Sequence, residues 1–131
     1  MLDGLLVPIH YVIDHVHRRM VTRADGVVTF HEINAHLDVE QRNRDLHRPE
    51  LIDASGATTD LTTEQVRRLV RRAADMLREV QLGPTAIVTT DDVVYGMARM
   101  YSILAEGVGA NAEVFRDVQS ATRWLDRMSD A

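Results

Sequence analysis

The chain has 131 residues, no cysteine and a net charge of −5, with 45% hydrophobic and 27% charged residues. A single domain of that length can bury a core without disulfides or metal staples, and the composition is ordinary for a globular protein. The charge argues against a general nucleic-acid role, the missing thiols exclude disulfides, thiolate zinc sites and cysteine nucleophiles, and no apolar run is long enough to span a bilayer.

Residues 1–8 read as a loose leader ending at Pro8, without the basic segment of a signal peptide. Residues 9–131 read as one domain. Alternation over 10–16 and again over 20–25 predicts two strands, with His17, Arg18 and Arg19 in a hairpin turn; Asp25-Gly26 marks a turn, after which Val27-Val28 either extend the strand or start the connection. Thr29 followed by Glu32 is a capping-box pattern, and Phe30, Ile33 and Leu37 continue it as a helix over 29–41. A polar loop ends at Pro49, residues 51–54 form the third strand, and Ser55-Gly56 breaks it. Thr62 or Thr63 caps a second helix, whose apolar stripe runs from Val66 through Leu69, Val70, Ala73 and Leu77 to Val80 before Gly83-Pro84 stops it. A fourth strand follows at 85–90, a third helix at 92–106 capped by Thr90 or Asp91, a fifth strand at 112–116, and a last helix opening at Asp117 or Ser120. The order β-β-α-β-α-β-α-β-α implies parallel pairing after the first hairpin, with right-handed crossovers.

The third helix stands out. Asp92, Arg99 and Glu106 are its only charges, so it needs cover on more than one side. Val93, Met97, Met100 and Leu104 are assigned to the core. Val94, Ala98, Tyr101 and Ala105 then form a second apolar stripe suited to a homodimer contact or to an apolar ligand, with Tyr95 and Arg99 beside it. Arg99 is expected to pair with a carboxylate. In the fourth strand Thr85, Ile87 and Thr89 point to one face, and Ala86 and Val88 to the other.

Strand ends in parallel sheets favour polar ligands, which nominates Asp53, Ser55, Thr62, Thr89, Thr90 and Asp91, although each also suits a helix cap or turn. The six histidines show no metal-ligand spacing: His15 and His17 are two apart, His31 and His36 five apart, and His10 and His47 alone. They read as scattered surface residues, so no metal or cofactor is assigned. No nucleophile elbow surrounds Ser55, Ser102 or Ser120, and an enzyme is not expected.

LIDASG in the third strand, IVTTDDVVYGMARMY and the later AEVFRD, in this element order, resemble the SpoIIAA-like group of the STAS superfamily over about residues 9–127. The resemblance implies a four-turn β-α superhelix, a five-stranded mixed sheet with an antiparallel N-terminal hairpin, and helices mainly on one face, leaving the other partly open with Ile87 among threonines on it. It implies a cytoplasmic bacterial protein that works by protein–protein contact. Lipid-exchange proteins of the CRAL-TRIO class share a related superhelix, which implies a ligand-binding alternative. Antagonist members of the family carry a phosphorylated Ser or Thr after an Asp at the start of a helix. Asp60-Leu61-Thr62-Thr63 places Thr62 near that position, with Leu61 intruding.

Overall fold

The computed structural model describes residues 8–130; the expected leader lies almost entirely outside them. Five strands, β1 (Ile9–Asp14), β2 (Arg19–Val28), β3 (Glu50–Thr59), β4 (Thr85–Val88) and β5 (Ala112–Phe115), form one sheet in chain order. The β1–β2 pair is antiparallel and every later pair parallel. The helices are α1 (Phe30–Arg42), α2 (Thr63–Met76), α3 (Asp92–Glu106) and α4 (Val118–Asp130). Among the described residues no helix is long and apolar enough to cross a membrane.

The capping signals act as the sequence implies. Thr29 and Thr62 each accept from the backbone amide three residues on, while Glu32 and Gln65 reach back to the cap backbone. Asp91 caps α3 through the Val94 amide.

Two expected breaks are absent. Strand β2 continues through Asp25-Gly26 and β3 through Ser55-Gly56, with a register irregularity between Arg23 and Asp25 absorbing the mismatch. A Cβ on Gly56 would stand 2.4 Å from Asp25 Oδ1, so this glycine serves a close strand approach rather than a turn. The β1 strand is shorter than expected, because Asp14 Oδ1 accepts from the Val16 and His17 amides and starts the hairpin turn there. His15 and His17 therefore share no strand face. Helix α2 ends at Met76, and Val80 lies exposed in the turns that follow.

The sheet carries α1, α2 and α3 on one face and α4 on the other. Ala24, Val28, Ala54 and Ala57 of the first face meet Ile33 of α1 and Val94 of α3. On the second, Ala86 and Val88 pack on Ala121 and Leu125, with Phe115 against Trp124 at 5.8 Å. On this second face Val12 of β1 and Val27 of β2 are exposed. Ile87 does not lie on it. Its parity puts it with Ile52 on the α1–α3 face, because α4 takes the Ala86 and Val88 side.

Helix α3 turns the second stripe inward, and of the residues assigned to the core only Met97 lines the space beneath it. Ala98, Ser102 and Ala105 are buried, with Val94 and Tyr101 against the core, while Val93 and Ile103 are more than half exposed and Leu104 also faces out. Small side chains at i, i+4 and i+7 let α3 approach closely, bringing Ala105 against Ala73 of α2. A helix apolar on almost every side offers periodicity no contrast from which to choose.

Candidate functional site

The sheet face beneath the three helices is paved with short side chains. Ala24, Ala54 and Ala57 leave room that α1 and α2 do not fill, and a cavity of about 230 Å³ runs between sheet and helices. Its wall is mostly aliphatic, with Ile33, Val66, Leu69, Ile87 and Val94 contributing. Exposed Thr58 and Asn111 stand in its lining, so it reaches solvent. Four of the interface or ligand candidates, Ile87, Val94, Ala98 and Tyr101, are brought together here.

The polar part of this cavity lies at the amino-terminal end of β3. Helix α1 places His36 and Glu40 one turn apart on the same face, and Glu50 opens β3 opposite them. The His36 Nε2–H donates to Glu50 Oε2 at 3.0 Å and lies 3.4 Å from Glu40 Oε1. All three side chains are at least nine-tenths buried. Thr22, fully buried on β2, donates its hydroxyl to Glu50 Oε2. The Tyr11 ring meets the imidazole edge-on at 5.6 Å. Tyr11 in turn donates to Asp45 and accepts from Asn43, and Arg48 Nε holds the other oxygen of Asp45. The cluster is thus braced from β1, β2 and the loop after α1.

Its electrostatics follow from burial. Burial would lower the His36 pKa, but the hydrogen bonds and charges of Glu40 and Glu50 reverse that and raise it to about 10, so the ring is an imidazolium. Burial lifts Glu40, the bond to His36 pulls it back, and the Glu50 charge lifts it again, to about 7. Glu40 Oε2 is buried without a hydrogen-bond partner among the described residues. Tyr101, also in the cavity wall, is pushed up to about 12 by burial and by the Glu50 charge.

The strand-end candidates do not line the cavity. Asp53 accepts from the Ser55 amide, Thr62 and Asp91 cap helices, and the buried Thr89 accepts from the Asp91 amide. Ser55 and Thr90 are exposed. Tyr95 sits under Arg116, whose guanidinium is 4.0 Å from the ring centroid and pairs with Asp92. Arg99 is exposed and makes no side-chain ion pair among the described residues; Asp92 belongs to Arg116. His36 corrects the reading of all six histidines as surface residues. Its signal in the sequence is the spacing of His36 and Glu40, four apart on one helix face.

No protein-family model matches the chain, and no curated protein matches it. Among solved structures it is similar to an uncharacterised DUF3478-family protein with a SpoIIAA-like fold from Shewanella loihica PV-4. The TM-score is 0.56 and the identity 15%, over 89% of this chain and 93% of that one. The fold is SpoIIAA-like, an α/β superhelix, and at that identity the likeness shows the fold alone.

Proposed function

We propose that this SpoIIAA-like domain is a non-enzymatic cytoplasmic module that holds a small, largely apolar molecule between its sheet and helices α1–α3. The supporting observation is the cavity of about 230 Å³, roofed by aliphatic side chains and floored by alanines. An apolar cavity of about 150 Å³ is enough to take up benzene. Because the cavity reaches solvent, its aliphatic wall faces water when no molecule is bound and forgoes the stabilisation of buried apolar surface. A bound molecule recovers that loss. Native mass spectrometry of the purified protein is expected to show a carried ligand, and an apolar fluorescent dye to bind at one site per chain. Protein that carries nothing and takes up neither dye nor short-chain alcohols would refute the reading.

A second reading, contact with another protein and first of all a second copy, draws on the outer stripe of α3. Val93, Ile103 and Leu104 are exposed in helical register, and exposed Arg99 and Glu106 flank Ile103. A two-fold axis would set Arg99 of one copy against Glu106 of the other while joining the apolar stripes. Light scattering would then give twice the 14.8 kDa chain mass, and Ile103→Asp would halve it. The exposed Thr62 hydroxyl at the α2 N-terminus supports phosphate control of such a contact, since free amides and the helix dipole favour an anion there.

A further inference from the structure

We infer that His36, Glu40 and Glu50 form a binding site for one divalent transition-metal ion, of the zinc or manganese class, at the polar end of the cavity. One donor atom from each of the three lies within 4.8 Å of the others. The two measured separations, 3.0 and 3.4 Å from His36 Nε2, match adjacent ligands on a cation with bonds of about 2.0–2.2 Å.

A second observation points the same way. Glu40 is 1% exposed and belongs to the cavity lining, and its Oε2 has no partner among the described residues. A buried carboxylate oxygen without a donor is costly. A cation bound by the Glu40 carboxylate neutralises the charge this oxygen shares with Oε1, the oxygen that stands 3.4 Å from His36 Nε2. Charge agrees: two carboxylates and a neutral imidazole balance a dication, whereas the imidazolium alone leaves the group one charge short. On binding, the Nε2 proton leaves to solvent and the nitrogen lone pair goes to the metal. Imidazole with two carboxylates suits zinc, manganese or ferrous iron better than the all-oxygen preference of magnesium or calcium. The three protein ligands leave further positions to water or to a ligand in the cavity.

The bracing fits a ligand set. Thr22 fixes the Glu50 carboxylate, and the Tyr11 edge, itself held by Asp45 and Asn43, limits rotation of the imidazole. None of this depends on the cavity also taking an apolar molecule.

The test uses the full chain stripped with EDTA, titrated calorimetrically with zinc chloride and separately with manganese, magnesium and calcium chlorides. One site per chain with a Kd of about 1 µM or tighter for zinc is expected, and no comparable heat from magnesium or calcium. Glu40→Gln and His36→Gln should each weaken zinc binding by about a hundredfold or more while keeping the circular-dichroism spectrum. His17→Gln, which removes an exposed imidazole paired with Asp14, should leave the tight site unchanged. If either buried variant fails to fold, imidazole nitrogen resonances of the wild-type chain decide during zinc titration. A large shift of His36 Nε2 supports the site. Wild-type protein with only weak zinc binding, a Glu40→Gln protein that binds as tightly, or an unmoved His36 resonance would each overturn it.

Discussion

Replacing Ala57 with isoleucine asks whether the space beneath the helices is open volume or closed wall. Ala57 is 3% exposed, packs with Ala24, Val28 and Ala54, and lines the cavity. It lies within β3, where a β-branched side chain suits the backbone. Isoleucine adds three carbons. At about 0.8 kcal/mol per buried methylene these gain roughly 2.4 kcal/mol, provided they enter existing space. Adjustment of Val28 and Ile33 takes back about 1 kcal/mol. The net gain of about 1.4 kcal/mol corresponds to a Tm higher by roughly 5 °C for a domain of this size, read by calorimetry on delipidated protein. The same three carbons occupy volume that a ligand would use, so dye affinity should drop at least about tenfold, since losing some 1.4 kcal/mol of apolar contact is a factor of ten. In a closed wall the added carbons have nowhere to go. Overpacking would then cost about 1–3 kcal/mol, and a fall in Tm with unchanged dye binding would refute both the cavity and the ligand reading.

Gly83→Ala is expected to destabilise by about 1–3 kcal/mol in urea titration, because the new Cβ would stand 2.1 Å from the Arg48 carbonyl oxygen, a backbone atom that cannot step aside. Leu125→Ala, at a fully buried position, should cost about 2–5 kcal/mol by the same measurement yet leave dye affinity unchanged, since α4 lies on the opposite sheet face from the cavity. Thr62→Ala removes the α2 cap and should cost about 1 kcal/mol; intact-mass analysis of protein from its native host tests for phosphate on the same hydroxyl. In EDTA-treated protein, His36 is raised to about 10 and Glu40 to about 7. Both folded values exceed their unfolded ones, so the native state holds more protons and stability falls as pH rises. The Glu40 part is lost between roughly 4.5 and 7 and the His36 part between roughly 6.5 and 10. Urea midpoints at pH 6, 8 and 10 should therefore decline, and the decline above pH 7 should flatten in His36→Gln.

The element order, the Thr29–Glu32 capping box and the parallel sheet were legible because each rests on local chemistry. Thr29 with Glu32 defines a helix start wherever it occurs, and α2 has one charged side and one apolar side. Where local signals conflicted with pairing across the sheet, they misled. Asp25-Gly26 and Ser55-Gly56 both carry turn chemistry, yet they lie side by side in the β2–β3 ladder, and the paired strands carry both through. Helix α3 failed for another reason. With two apolar stripes of similar strength, the choice fell to side-chain size, and the stripe with alanines and a serine packs closer.

The polar cluster shows how a site can be written in a sequence and still escape a motif search. His36 and Glu40 are readable as an i,i+4 pair, and a buried imidazolium beside a carboxylate could have been anticipated from α1 alone. The third member depends on β3 beginning at Glu50 rather than one residue later. Strand side chains alternate, so this start puts Glu50, Ile52 and Ala54 on the helix face and Leu51 on the α4 face. A charged residue opening a strand ordinarily faces water; here it faces inward because the Ile52 and Ala54 that follow it must. The apolar pattern that builds the core thus also carries Glu50 into it, next to His36. The expectation of a site at the carboxyl ends of the strands drew attention to the opposite edge of the sheet, where the threonines and aspartates are occupied in caps and turns.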